Sequence, residues 1–447
     1  MYFVKFQLVD IVIITLYFFM IAQLSYFNLS NKNRIVVTFL LLLSFIMKII
    51  FGFVLNENAF RALQHRFLFS EYDATNYYLQ AVYDAATQNS FIPELHWSVA
   101  DPGFNIMLYW VGKIYSFCFQ GLSISYFHFI YLLIFVHTLT FLYIFVRLEK
   151  NEYIHKIVLI MFAIFVFFEP LMLRFSFSLE REIVVSLFLL IFIVAYMDNH
   201  IIVMIICSFF LVWFRDMYLF LLPVFLLSYL VYRYFFTGHI IFFLFCNLIL
   251  FSLTIHLLSI NNEDMAALFF QHGKLSDDQS HGFGTMIMSS GYFIRIILYS
   301  LLGFVAPIPV YPFFGSDLPV FYIFSFVMGL SSISYLFLNS YIIYFLYKLD
   351  CHVKINRYKI DNYSYKVIYK AYVAFFILHL TFHGLIFNIR HRLQLIPGLI
   401  YLFLYIVNLQ YSNKEISIKV NIEKWFYLCL LVIFSFNILY IVLKTIA

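Results

Sequence analysis

The chain has 447 residues, of which 64% are hydrophobic and 11% charged, with a formal net charge of +5. A water-soluble core cannot cover so many apolar side chains, so the composition excludes an ordinary soluble protein and indicates one that contacts the lipid bilayer. The positive charge is too small and too dispersed to indicate a nucleic-acid partner.

Apolar runs of about 20 residues, the length that an α-helix needs to cross a bilayer, recur along the whole chain. We predict an all-α polytopic integral membrane protein, a single transmembrane domain over residues 1–447 with about 12 transmembrane helices. The alternating pattern of a membrane β-barrel is absent from the sequence. In chain order the predicted spans are 8–27, 35–55, 124–146, 157–173, 183–198, 201–214, 217–236, 240–260, 320–347, 367–387, 393–411 and 426–444.

The distribution of basic residues predicts the orientation of these spans. Cytoplasmic loops of membrane proteins are enriched in lysine and arginine. We therefore assign the basic segments to the cytoplasm, which places both termini outside. These segments are 32–34, 147–156, the surroundings of Arg233, 348–366 and 413–424.

Two outer loops follow from this orientation, 56–123 and 261–319, and each contains an apolar segment that does not fit as a crossing. Residues 104–120 include a glycine and a lysine, and residues 292–306 run into three prolines. A full crossing by either segment would move a basic loop to the outside. We therefore expect both to form interfacial or re-entrant helices on the outer face, the second of them partly embedded.

The first outer loop gathers acidic and aromatic residues. Ser70 followed by Asp73 is a capping pattern that starts a helix, and Asp73, Tyr77 and Asp84 then recur on one face of that helix. Carboxylates accept hydrogen bonds from sugar hydroxyls, and aromatic rings stack on the apolar faces of sugars. The alternative interpretation is an aromatic belt at the membrane interface.

Arginine prevails over lysine on the predicted outer side, whereas lysine prevails in the predicted cytoplasmic loops. A planar guanidinium binds two phosphate oxygens at once, whereas an ammonium acts as a point charge. For any single arginine the alternative is a local acidic partner, such as Asp216 for Arg215. The outer arginines are Arg61, Arg66, Arg174, Arg181, Arg215, Arg295, Arg390 and Arg392.

His379 and His383 lie one helical turn apart on a predicted span, a spacing that can bind a metal ion. No third ligand is close to them in the sequence. We therefore favour packing and hydrogen bonding for this pair, and we predict no metal site.

Several short motifs carry a resemblance to one group of membrane enzymes. They are Asp73 with Tyr77, DPGF at 101–104, SLEREIVVS at 178–186, APIPVYP at 306–312 and RHRLQLIPG at 390–398. Their layout is similar to the GT-C superfamily of glycosyltransferases that use polyprenyl-linked sugars. More narrowly, it resembles the bacterial O-antigen and capsule repeat-unit polymerases, the Wzy and EpsG-like group. The Arg-His-Arg sequence at 390–392 departs from the looser pattern of that family.

The resemblance implies an enzyme that joins oligosaccharides carried on undecaprenyl diphosphate, on the periplasmic side of the bacterial inner membrane. Asp73 would deprotonate the acceptor hydroxyl, and Arg181 and Arg390 would stabilise the departing diphosphate. The implied diphosphate-binding residues are Arg174, Arg181, Arg215, Arg295, Arg390 and Arg392. The implied sugar-binding residues are Glu71, Tyr72, Tyr77, Asp84, Trp97, Asp101, His383 and His391.

The expected partners are the lipid-linked oligosaccharide and the lipid bilayer, and binding of a chain-length regulator protein stays open. We expect the transfer to need no metal ion or other cofactor, because the sequence has no obvious metal-binding pair of carboxylates.

Two other functions remain open. A GT-C glycosyltransferase with a polyprenyl-phosphate monosaccharide donor would need fewer arginines. A flippase or transporter of lipid-linked oligosaccharides predicts charged residues and broken helices near the bilayer midplane, with a repeat between the two halves. The sequence shows no such repeat, and its charges concentrate at one edge of the spans, so we favour the polymerase.

Overall fold

The protein is described here by a computed structural model. It describes residues 8–62, 77–78, 81–83, 85, 87–88, 102–119, 125–151, 154–215, 218, 240–261, 292–305, 319–356, 363–381, 390–412 and 420–446. Every regular element in these residues is helical, and no strand occurs among them. The predicted all-α fold class is confirmed for this part of the chain.

Fourteen helices of seven residues or more lie in the described residues, and we number them in chain order. They are α1 Leu8–Asn28, α2 Asn31–Ala62, α3 Pro102–Cys118, α4 Tyr126–Asn151, α5 Lys156–Phe168, α6 Pro170–Ser176, α7 Glu182–Met197, α8 Ile201–Phe214, α9 Ile240–Asn261, α10 Tyr292–Val305, α11 Pro319–Asn356, α12 Tyr363–His379, α13 Arg390–Ser412 and α14 Ile422–Ile446.

Five stretches within these helices are long and apolar enough to cross a membrane, or six if α5 and α6 together form one bent span. The five are Leu8–Asn28, Asn31–Val54, Tyr126–Lys150, Gly329–Cys351 and Arg392–Tyr411. The helical membrane character of the protein is therefore confirmed, whereas the number of about 12 crossings stays a prediction.

Most of the predicted spans coincide with helices. For example, the predicted span 183–198 is α7 and the predicted span 201–214 is α8. The predicted span 217–236 lies outside the described residues. The two apolar segments of the outer loops are helical as α3 and α10, and their location at the outer interface stays a prediction.

The chain divides into two compact units. Unit 1 comprises Met1–Leu221 and Asp317–Phe324, and unit 2 comprises Leu222–Ser316 and Ser325–Ala447. The expectation of a single transmembrane domain stays a prediction.

Helix α4 lies at the centre of unit 1, because it packs against α1, α2, α5, α6 and α7. A glycine lets α3 approach α8 in the same unit. A Cβ atom on Gly103 would lie 2.4 Å from the backbone oxygen of Trp213, so a larger residue would push the two helices apart. Gly103 thus fixes the start of α3 against the end of α8.

In unit 2 the most buried span is that of α13, with 94% of its apolar window inside the protein. This helix packs closely on α12 because position 398 is a glycine. A Cβ atom on Gly398 would lie 2.1 Å from the ring of Phe375. The core of unit 2 therefore surrounds α13, which begins at Arg390.

The predicted span 157–173 is interrupted in the structure. Helix α5 ends at Phe168, α6 begins at Pro170, and the two are bent by 42°. Pro170 has no backbone N–H, so it cannot donate the helical hydrogen bond to the carbonyl oxygen of Val166. Glu169 caps α6, since its Oε2 accepts a hydrogen bond from the backbone N–H of Met172 at 2.6 Å.

Candidate functional site

Tyr77, Arg181, Glu182 and Arg215 meet in unit 1, and we call this group the arginine cluster. Arg215 donates from Nη1 to Glu182 Oε1 at 3.4 Å. The Nε of Arg181 lies 3.9 Å from the same carboxylate oxygen. Arg181 also donates from Nη1 to the hydroxyl oxygen of Tyr77 at 2.8 Å. Two guanidinium groups thus contact one buried carboxylate.

The segment before α7 positions Arg181 and Glu182. Tyr126 holds its backbone, since the Tyr126 hydroxyl accepts from the N–H of Leu179 at 3.2 Å. The Ser178 hydroxyl donates to the carboxylate oxygen Oε1 of Glu180 at 2.8 Å. Arg181 is the N-cap residue of α7, and Glu182 lies in its first turn. A carboxylate is favoured there because the helix N-terminus carries partial positive charge.

Arg215 comes directly after α8, and its backbone N–H still bonds to the last turn of that helix. The C-terminal end of a helix favours a cation. Burial lowers the pKa of Arg215 to about 10, and the nearby Glu182 opposes this shift. Arg215 is therefore charged at neutral pH.

The arginine cluster brings together three of the predicted site residues, Tyr77, Arg181 and Arg215. The pairing predicted as the alternative for Arg215 was with Asp216, which lies outside the described residues; the ion pair that the structure gives Arg215 is with Glu182. Arg174, also predicted to bind diphosphate, stacks on the ring of Phe175 at 5.2 Å.

The second group of predicted arginines belongs to unit 2. Arg392 lies in the first turn of α13 and is completely buried. None of its three guanidinium nitrogens has a hydrogen-bond partner in the described part of the chain. Its guanidinium carbon lies 5.1 Å from the ring centre of Tyr335. A cation–π contact of this kind offsets only part of the cost of burying the charge.

Arg295 on α10 is a second buried arginine of unit 2. Its guanidinium lies over the ring of Tyr299 at 5.3 Å. Arg390 and His391 lie at the start of α13, but their side chains are outside the described part of the structure. The preference for Arg390 over Arg392 as a catalytic residue therefore stays a prediction.

His379 packs inside unit 2. Its Nε2 lies 2.9 Å from the carbonyl oxygen of Ser300, and its Nδ1 lies 2.8 Å from the hydroxyl of Tyr335. Because a carbonyl can only accept, Nε2 carries the proton and Nδ1 accepts from Tyr335. Both nitrogens are used within the protein, which agrees with the packing interpretation for His379.

Seven predicted site residues lie outside the described residues. They are the proposed base Asp73 and the sugar-binding candidates Glu71, Tyr72, Asp84, Trp97, Asp101 and His383. Their roles stay predictions.

Sequence reasoning did not include two residues that the structure places in polar clusters. Glu182 joins both arginines of the arginine cluster, and its position next to Arg181 was the available signal. Lys48 is buried within Asn31–Val54, a stretch of unit 1 that is long and apolar enough to cross a membrane. A lone lysine in an apolar run of this length was the signal for it.

No protein-family model, curated protein or solved structure matches the chain. The resemblance to the repeat-unit polymerases therefore depends on the motifs alone.

Proposed function

We propose that the protein is a polysaccharide polymerase of the O-antigen type. It would transfer a growing glycan from undecaprenyl diphosphate to a lipid-linked repeat unit, on the periplasmic side of the bacterial inner membrane. The observation that carries this proposal is Arg392, a fully buried guanidinium without a hydrogen-bond partner among the described residues.

A buried charge without a partner is unfavourable, because it has lost its hydration and gained no hydrogen bond in exchange. The guanidinium of Arg392 offers five N–H donors in one plane, a geometry that suits an anion with several oxygen atoms. A diphosphate is such an anion. Binding of its oxygens would satisfy the donors of Arg392 and neutralise its charge.

The arginine cluster of unit 1 supports the same substrate class. Arg181 and Arg215 lie close enough together to contact the same carboxylate oxygen of Glu182. A polymerase takes two substrates, and each of them carries a diphosphate. Two neighbouring arginines in unit 1, and in unit 2 a buried arginine without a hydrogen-bond partner among the described residues, fit that requirement better than a single monophosphate donor.

The proposed reaction displaces the diphosphate from the anomeric carbon of the donor sugar. The acceptor hydroxyl forms a new bond to that carbon, the bond between the carbon and the diphosphate oxygen breaks, and Asp73 takes the hydroxyl proton. Negative charge then grows on the departing diphosphate. Arginines already in place stabilise this charge without reorganising, which lowers the barrier.

Reconstitution tests the proposal directly. Purified protein in lipid nanodiscs receives undecaprenyl-diphosphate-linked repeat units, and the products are separated by size. We expect a ladder of products from the native protein and a rate about 10²–10³-fold lower from Arg392→Met, the usual loss when one donor to a developing anion is removed. Arg147→Met is the matched control, because Arg147 pairs with Asp198.

Deletion of the gene distinguishes the proposal from its alternatives. If surface glycolipids of the deletion strain carry a single repeat, the protein is a polymerase. Loss of even the first repeat would point to a monosaccharide transferase or a flippase. An unchanged ladder would exclude all three functions.

A flippase or transporter of the same lipid-linked saccharide is the second candidate, and one observation favours it. Lys48 and His137 are buried side by side in unit 1, next to the break between α5 and α6. Charged residues at a broken helix are a feature of transporters. Contrary to the sequence-based expectation, therefore, the charges do not all lie at the edge of the spans.

A further inference from the structure

The break between α5 and α6 leaves one carbonyl group that needs a donor, and α2 supplies it. Because Pro170 has no N–H, the carbonyl oxygen of Val166 loses its helical partner. Lys48 Nζ donates to this oxygen at 2.8 Å, and Ser44 Oγ donates to it at 3.1 Å. Two side chains of one helix thus complete the broken hydrogen-bond ladder of another.

The ammonium of Lys48 has three N–H groups, and each has an acceptor. Besides Val166, Nζ contacts Ser44 Oγ at 2.7 Å and His137 Nδ1 at 3.0 Å. An ammonium cannot accept, so Nδ1 of His137 is the acceptor and the proton of this imidazole is on Nε2. Nε2 is buried and has no hydrogen-bond partner among the described residues.

This cluster lies within helical stretches that are long and apolar enough to cross a membrane. His137 is the twelfth residue of the 25-residue span Tyr126–Lys150, and Val166 is close to the middle of the bent pair Lys156–Ser176. Lys48 and His137 are both almost completely buried. A charged group at this depth is costly unless it is paired, and it marks a functional site by default.

Glu169 supplies the negative charge of the cluster. It is buried at the same helix break, and its carboxylate acts electrostatically on Lys48. Several charged groups on the neighbouring helices have contacts of their own. Asp10 of α1 pairs with His128 of α4, and Glu182 of α7 pairs with Arg215. Arg174 of α6 stacks on Phe175. On α4, Arg147 pairs with Asp198, and Glu149 accepts a hydrogen bond from Ser30.

The two bases therefore share one proton beside one carboxylate. Transfer along the 3.0 Å contact breaks an N–H bond at Lys48 Nζ and forms one at His137 Nδ1, which gives a neutral amine and an imidazolium. A second proton would place two positive charges at that distance, which is strongly unfavourable.

We propose that Lys48 and His137, at the break between α5 and α6, form an intramembrane binding site for a single proton. Nothing in this site depends on the polymerase activity. A one-proton site at a helix break is what a transporter coupled to a proton gradient needs, so the site bears on the choice between the two candidate functions.

Nuclear magnetic resonance of the histidine side chains tests this proposal. The full-length protein, labelled at its histidine nitrogens, is placed in nanodiscs and titrated from about pH 5 to about pH 8, where an ordinary histidine changes charge. The His137 signals are identified by their loss in His137→Gln. In the native protein we expect His137 to stay neutral, with its proton on Nε2, over the whole range.

The decisive variant is Lys48→Met, which removes one of the two bases. His137, beside Glu169, should then take up a proton from the solvent in place of Lys48, so that the imidazole is charged at neutral pH. His128, on the same helix and paired with Asp10, is the internal control and should not change. A His137 that stays neutral in the folded variant would show that the cluster only holds the bend.

If Lys48→Met does not fold, the pH titration of His137 in the native protein tests the proposal without the variant. Uptake of a proton by His137 near pH 6.5, with Lys48 in place, would overturn the proposal. A His137 that stays neutral as the proton donor at Nε2 supports it.

Discussion

Lys48 and Arg392 are both buried cations, and their surroundings are opposite. Lys48 in unit 1 is 3% exposed, and all three of its N–H groups have acceptors between 2.7 and 3.0 Å away. Arg392 in unit 2 is 0% exposed, and it has no hydrogen-bond acceptor among the described residues. The hydrogen bonds of Lys48 are all made within the fold, whereas the guanidinium of Arg392 lies against the face of the Tyr335 ring.

This difference distinguishes a buried charge that stabilises the fold from one that can bind a ligand. A cation with all its hydrogen bonds made contributes to the fold, and removing it leaves its partners unsatisfied. A buried cation without hydrogen bonds makes no comparable contribution to the stability of the fold, so its N–H groups are available to a ligand. The arginine cluster is intermediate, because Arg181 and Arg215 both contact the carboxylate of Glu182 in the described part of the chain.

The largest expected effect is on stability, from Lys48→Met. Val166 and His137 would lose a donor and Glu169 its positive neighbour, so we expect a decrease of roughly 3–5 kcal/mol in the free energy of unfolding. Thermal unfolding of the purified protein in detergent measures it. Lys113→Met, at a partly exposed position of α3, is the control. Equal losses in both variants would contradict the special role of Lys48.

Arg392→Met should have the reverse signature. We expect a 10²–10³-fold loss of polymerisation, equivalent to about 2.7–4 kcal/mol in the barrier. The free energy of unfolding should stay the same or rise, because a buried charge without a partner is removed. Arg147→Met should instead lose stability and keep activity, since Arg147 pairs with Asp198. A destabilised but active Arg392→Met would refute the comparison.

Glu182→Gln tests the intermediate case. The amide keeps an oxygen acceptor but loses the negative charge that Arg181 and Arg215 share, so we expect a loss of about 1–3 kcal/mol. A double-mutant cycle with Arg215→Met, read from thermal unfolding, isolates the contribution of the pair. Strictly additive effects would mean that the 3.4 Å contact contributes no coupling.

Ser44→Ala should have the smallest effect, about 0.5–1.5 kcal/mol, because Lys48 loses one of its three acceptors but still donates to Val166 and His137. Ser208→Ala is a matched control, since Ser208 is buried and its hydroxyl has no hydrogen-bond partner among the described residues. Thermal unfolding of the two variants in parallel compares them. A larger loss for Ser208→Ala would show that these partner assignments do not govern stability.

Much of the helical layout could be predicted from the sequence, because runs of apolar residues form helices wherever lipid or a core receives them. The break at Pro170 was missed, although a proline inside a predicted span is the expected signal for one. Arg181, Arg215 and Tyr77 were candidate site residues of the sequence analysis, and the structure brings them together, while their roles stay predictions. Glu182, which contacts both arginines, was not chosen as a candidate. The sequence shows that it is next to Arg181, but it does not show which side chains its carboxylate faces.

The sequence by itself determined that this chain is a helical membrane protein with arginines among its candidate site residues, since composition and apolar run length decide that much. Only the tertiary structure decided which cations are satisfied. The acceptors of Lys48 include His137, 89 residues away, and Val166, 118 residues away, and whether they lie within 3 Å depends on how whole helices pack. Short-range sequence patterns carry no information about that register, so the contrast between Lys48 and Arg392 appears only in the folded chain.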